Sequence, residues 1–103
     1  MTLAVFTTIH DQDAANTLAR AAINARLAAC VHIEEIQSVF RWDNAVQDEP
    51  ELRLLFKTTN DQYDALADLI RKDHPYDQPA LWAVEMAKID PSFANWIAAE
   101  TSD

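Results

Sequence analysis

The residues of this chain that could carry chemistry are few and fall in two places. The first is the segment Lys72 to Ala83, KDHPYDQPALWA, which places a histidine, a phenol, two carboxylates and two prolines between a helical and a strand-like pattern. If His74, Tyr76 and Asp77 face one cleft, His74 can hold a metal ion or an anion, because an imidazole changes charge near neutral pH and ligates metals when neutral. The same residues also read as a rigid connector in which Tyr76 fills a gap. The second place is Cys30 and His32, two apart on one strand face, a soft ligand pair for copper or zinc. Two ligands do not complete a site, and a packed thiol beside a hydrogen-bonded imidazole is the commoner arrangement. His10-Asp11, at the first strand-to-helix turn, reads as an exposed capping feature.

Other chemistries are excluded by what the chain lacks. It contains no glycine, so no phosphate-cradling loop can form, and neither a nucleophile elbow nor an HExxH spacing occurs. His74/Asp77 is the one acid-base pair that can be nominated, which leaves an isomerase or monooxygenase on this chain without support, and the expectation is a protein that is not an enzyme. A formal charge of −9, spread without a basic cluster, repels phosphate backbones and argues against a nucleic-acid partner. No apolar run approaches the roughly 20 residues that span a bilayer, so no membrane partner is expected. The opening MTLAVFTTIHDQD has no basic residues before its apolar ones, unlike a secretory signal, and Cys30 is the sole cysteine; both point to the cytoplasm.

The elements that must position these residues follow from periodicity. A chain of 103 residues, half of them hydrophobic, suits one domain spanning 1–103. Leu3 to Ile9 reads as a strand, and Asp11-Gln12-Asp13 caps a helix to about Leu27 with Ala14, Leu18, Ala21, Ala22 and Ala25 inward. The second strand starts near Ala28. Its apolar residues change parity from Ala29, Val31 and Ile33 to Ile36, Phe40 and Trp42, which predicts a bulge or bend at Glu34-Glu35. Asp43-Asn44 is the turn, Asn44 taking the left-handed conformation usual for glycine. The third strand returns from Val46, with Leu52, Leu54 and Phe56 on one face and Pro50 at an edge or bulge. Thr59 and Gln62 match a capping box for a helix carrying Tyr63, Leu66, Ala67 and Ile70 inward, which Pro75 stops. Leu81 to Met86, apolar on both parities, reads as a central strand, and Asp90-Pro91 opens a last helix with Phe93, Trp96 and Ile97.

Strand, helix, strand, strand, helix, strand, helix is the α+β, ferredoxin-like βαββαβ order with a C-terminal helix, a four-stranded antiparallel sheet with its helices on one face. A strand of about 14 residues reaches about 45 Å, far beyond the ~13 Å radius of gyration of a 100-residue domain. The β2-β3 hairpin must therefore project, and its Val39, Phe40 and Trp42 call for cover from another copy of the chain. The interface residues expected are Ile36, Val39, Phe40, Trp42, Leu52 and Leu54.

The segments LAACV from Leu27, SVFRW from Ser38, LLFKTT from Leu54 and HPYDQPALWA from His74 fall in the order and spacing of the CutA family of divalent-cation tolerance proteins, which the chain resembles over nearly its whole length. The resemblance implies a non-enzymatic, very stable homotrimer in the architecture of the PII-type signalling proteins, with hairpins pairing around the threefold axis and clefts between subunits as ligand sites. The cleft implied here joins Lys57 and Trp42 to the His74, Tyr76 and Asp77 loop of an adjacent chain. The ligand it implies is Cu²⁺ or another divalent cation; the alternative is a small anion or nucleotide, for which Lys57, Arg41 and Arg53 could supply charge. The chain departs from the pattern at Glu34-Glu35, where relatives carry Pro-Gly, and at Asp43-Asn44, where they carry Glu-Gly. Of the copper ligands proposed in relatives, the first-strand cysteine is Phe6 here and the glutamate after the loop proline is Ala80, which leaves His74 as the metal candidate.

Overall fold

In the structure, a computed structural model that describes residues 1–102, the chain runs β1 (Thr2–Ile9), α1 (Gln12–Asn24), β2 (Cys30–Trp42), β3 (Ala45–Thr59), α2 (Tyr63–Asp73), β4 (Leu81–Glu85) and α3 (Pro91–Glu100), with a short 3-10 turn, Asn60–Gln62, before α2. One sheet has the order β2-β3-β1-β4, and every neighbouring pair is antiparallel. This is the ferredoxin-like order expected, with α3 added.

Alternation builds the core. Leu3, Val5, Thr7 and Ile9 of β1 and Leu52, Leu54, Phe56 and Thr58 of β3 are buried on one face, against Ala15, Leu18, Ala19 and Ala22 of α1 and Leu66, Ala67 and Ile70 of α2. Fully burying a side chain such as Phe56 is worth about 1.5–3 kcal/mol. The alanine side chains of α1 allow close approach to the sheet, and the buried stripe uses Ala15 and Ala19 where Ala14, Ala21 and Ala25 were expected beside Leu18 and Ala22. The buried threonine hydroxyls of the sheet are both bonded: Thr7 Oγ1 donates to Ala80 O at 2.7 Å and Thr58 Oγ1 to Leu27 O at 2.7 Å.

Helix ends show how a glycine-free chain manages its turns. Asp11 caps α1 by accepting from the Asp13 N–H at 3.0 Å. The helix stops at Asn24, short of Leu27, because Arg26 takes φ 60° and the Arg26 and Leu27 N–H groups close back on Ile23 O and Ala22 O. A non-glycine residue there costs about 1–2 kcal/mol. The Arg26 guanidinium offsets it by donating to Ala99 O at 2.8 Å and Ser102 O at 2.7 Å, which ties down the end of α3. The expected box at Thr59 does not form: Thr59 makes no side-chain cap bond, and Gln62 Nε2 donates instead to Thr101 O at 2.7 Å. Asp90 caps α3 as expected, accepting from Ser92 N–H and Oγ–H, and these bonds hold its carboxyl below the usual range.

The hairpin corrects two further expectations. No bulge interrupts β2: Glu34 faces Arg53, Glu35 faces Leu52 and Ile36 faces Glu51 in one unbroken register that runs to Trp42 and Ala45. The parity changes because the covered face changes. Val31 and Ile33 point at the subunit's helices; beyond the last β1 pair, Ile9 with Leu52, the ribbon leaves them behind. Pro50 lies past that point, where β3 has lost its β1 neighbour and no ladder bond is wanted. Asp43 and Asn44 take φ 55° and 59°, the left-handed pair of a two-residue turn. The chain measures 45 × 26 × 21 Å with a radius of gyration of 14.2 Å, long because of this ribbon. β4 is an edge strand rather than a central one, pairing only with β1, and its Trp82 and Val84 are exposed. No helix among the described residues is long and apolar enough to cross a membrane.

Candidate functional site

The loop between α2 and β4 is held at the end of the sheet by His74. Pro75 prevents α2 from continuing, so His74 leaves the helix in an extended conformation and turns its ring inward, where it is 8% exposed. Its Nδ1 accepts from the Tyr76 N–H at 3.1 Å, which places the ring proton on Nε2. That proton faces Thr8 O and Thr7 Oγ1, both at 3.0 Å. Thr7 Oγ1 spends its own proton on Ala80 O, so it is free to accept. Burial pushes the His74 pKa below its ordinary 6.5, opposed by the Thr8 hydrogen bond and the Glu51 charge and reinforced by His10.

Tyr76 extends the network to β3. Its hydroxyl donates to Glu51 Oε2 at 2.8 Å, its ring stacks on His10 at 5.2 Å and tilts against His74 at 4.7 Å. Burial, and then the Glu51 carboxylate, push the phenol pKa up. His10 and Glu51 also line a shallow groove with Gln12, Glu35, Gln37 and Pro50, at the point where the ribbon leaves the subunit body.

The expected site residues are thus only partly gathered within one chain. His74 and Tyr76 are together, and Asp77 is exposed beside them. Lys57 is elsewhere, on the open face of the sheet, with its Nζ 3.4 Å from His32 Nε2 and 5.2 Å from the Phe93 ring centroid. Trp42 lies at the hairpin tip, where its carbonyl accepts from Gln47 Nε2 at 3.1 Å. Cys30 shares that open face, being paired across the strands with Lys57. The Lys57 ammonium opposes a cation at His32. Phe6 stacks on Trp82 at 5.1 Å with Arg53 above it, and Arg53 is bridged to Glu34 at 2.7 Å. Among the described residues no three His, Cys, Asp or Glu side chains are grouped to hold a metal ion.

The expected interface set divides. Val39 and Trp42 are 66% and 59% exposed and Phe40 is exposed as well, while Ile36 is half-buried. Leu52 and Leu54 are buried in the subunit's own core, because even-numbered β3 residues point at the helices. They are not available to a partner. Val46, 65% exposed opposite Arg41, adds to the exposed apolar surface beside the turn. Glu51 and Thr7 were missed, since nothing local in the sequence marks a strand carboxylate or a buried threonine as partners of a loop.

The CutA1 family model, described as CutA1 divalent ion tolerance protein, matches residues 3–100. The divalent-cation tolerance protein CutA of Thermus thermophilus is 34% identical over 98 residues, covering 94% of this chain and 95% of that protein. The CutA of Pyrococcus horikoshii is 27% identical over 97 residues, with 94% and 95% covered. The solved structure of CutA from Synechococcus elongatus superimposes with a TM-score of 0.95 at 36% identity, covering 98% of this chain and 90% of that one. Since the match takes in β1, the hairpin, the His74 loop and α3 together, the chain belongs to the CutA1 divalent ion tolerance family.

Proposed function

We propose that this protein is a non-enzymatic, cytoplasmic homotrimer that takes part in the response to metal ions, with clefts between subunits as its ligand sites. The observation that carries the reading is the ribbon beyond Leu52. It is a two-stranded extension with Val39, Trp42 and Val46 largely exposed, and such a ribbon is marginal in water unless another surface covers it. Both sheet edges, β2 and β4, are open as well. A subunit with two different open edges and a projecting apolar arm assembles head to tail, and a closed ring satisfies every copy equally.

Among the described residues of one chain no set of side chains fits a closed chelate. A divalent cation is held loosely, by Cu²⁺- or Zn²⁺-binding donors brought together from two copies, in a field set by the net charge of −9. The second reading is a PII-like sensor of a small anion or nucleotide. Lys57 favours it, being a lysine on the open face with no carboxylate partner among the described residues.

Light scattering on the eluting protein tests the assembly: the expected mass is three times 11.6 kDa, and a single-chain mass at micromolar concentration would overturn it. Calorimetric titration with Cu²⁺ and Zn²⁺ tests the cation, and flat traces remove that part. Thermal shift with nucleotides, repeated on Lys57→Ala, tests the second reading; stabilisation that the variant loses would favour it over the first.

A further inference from the structure

We propose that His74 is a positioning residue of the α2–β4 loop, closed to metal ions by its own hydrogen bonds, and that cation binding by this chain proceeds without it. The inference narrows the cation part of the reading above and stands whether or not the trimer forms, because every bond involved lies within one subunit.

Each ring nitrogen is already spoken for. A metal at Nδ1 would occupy the lone pair that the Tyr76 N–H uses, leaving that donor unpaired in a half-buried position. A metal at Nε2 would have to sit where Thr8 O and Thr7 Oγ1 now lie at 3.0 Å, and would displace the ring proton they share. The ring is buried among these partners, and swinging it outward breaks its bonds at both nitrogens. No set of neighbouring donors is present to offset either loss: the nearby carboxylate, Glu51, is engaged by the Tyr76 hydroxyl, and no group of three ligating side chains occurs among the described residues.

The positive role follows from what the bonds join. Through Nε2 the ring holds β1; through Thr7 Oγ1 that contact continues to Ala80 O at the start of β4; through Nδ1 it sets Tyr76, whose hydroxyl reaches Glu51 at the root of the ribbon. One imidazole therefore fixes the loop relative to an open sheet edge and to the ribbon's base.

Nitrogen-15 NMR of the wild-type imidazoles tests the proposal directly. The expected spectrum shows His74 with its proton on Nε2 and ring signals unmoved by excess Zn²⁺. A proton on Nδ1, or His74 ring signals that shift with stoichiometric Zn²⁺, would overturn it. Amide exchange on three variants supplies a readout that ligation would not produce. His74→Gln keeps a donor toward Thr8 O but places no acceptor at the Nδ1 position, and the Tyr76 amide should exchange about tenfold faster, as in His74→Ala. His74→Asn places an amide oxygen near the Nδ1 position and should keep the Tyr76 amide slow. Wild-type exchange in all three would overturn the positioning role. Zn²⁺ binding heats that are the same in wild type and His74→Gln support the proposal, and loss of those heats in the variant opposes it.

Discussion

The two halves of the β2–β3 ribbon share one register and one backbone geometry, yet only the first half is supported by its own subunit. At the base, Val31 and Ile33 lie opposite Phe56 and Leu54 beneath α1, and β1 completes the ladder on the far side of β3. At the tip, Val39 lies opposite Asp48 and Trp42 opposite Ala45 with no third strand and no helix. Identical strand pairing therefore has two different sources of stability. The base is held by burial within the chain, and the tip depends on whatever covers it.

The largest effect should come from the tip. Replacing Phe40 and Trp42 together by Asp puts two charges on the exposed face of the ribbon, and burying an unpaired charge is prohibitive. If the chain assembles as the proposed trimer, light scattering should show the mass fall to that of one chain while the far-ultraviolet circular dichroism is retained. Retained mass would mean that the tip is not the seam. At the base, Phe56→Ala should cost about 3–5 kcal/mol, read as a lowered denaturation midpoint, because the fully buried ring leaves a cavity that the sheet and helices cannot close. The first change dissolves the assembly and spares the fold of each chain, and the second weakens that fold itself.

The joint between the halves is the Tyr76–Glu51 bond. Tyr76→Phe removes a hydrogen bond to a carboxylate that is half-buried, and should cost about 1–2 kcal/mol of stability. A smaller effect at the same joint is set by pH. His74 is held neutral, its folded pKa lying below the 6.5 of the unfolded chain, so the unfolded state takes up protons first as pH falls. Its contribution is complete above 6.5 and is lost as pH drops from there through the lowered value. The sign is checked by urea midpoints at about pH 7.5 and about pH 5.5, where wild type should lose more than His74→Gln, by at most about 1.36 kcal/mol for each unit of difference in pKa.

Much of this could be read from residue patterns, and the failures share a cause. Element order, the Asp43-Asn44 turn, the Asp11 and Asp90 caps and the inward face of β3 follow from local chemistry and period, which a sequence displays. The bulge at Glu34-Glu35 was inferred because a parity change has two explanations, a slipped register or a changed covering, and a sequence does not separate them. β4 was read as central because an apolar strand looks the same whether its cover comes from its own chain or from elsewhere. Arg26 at φ 60° was invisible, since what sustains it is the end of a helix more than seventy residues away. In the site, His74 and Tyr76 announce themselves as residue types, but their partners Thr7, Thr8 and Glu51 come from other strands.

The smallest change asks whether tip and base are energetically one unit. Asn44→Gly relieves a left-handed residue at φ 59° but frees the unfolded chain, two effects of about 0.4–1 kcal/mol that oppose each other and should leave a net change of a few tenths. Asn44→Ala keeps the Cβ and loses the polar side chain that makes this conformation tolerable, and should cost about 1 kcal/mol. Where that cost appears is more informative than its size. If the tip opens independently, the amides of Phe40, Trp42 and Val46 exchange faster in the alanine variant while the global denaturation midpoint stays in place. If assembly locks the tip to three cores at once, the same cost moves into global unfolding and the tip amides exchange no faster than those of β1. The Phe40/Trp42 double variant then separates the cases, because in a lone subunit the alanine cost must return to local opening.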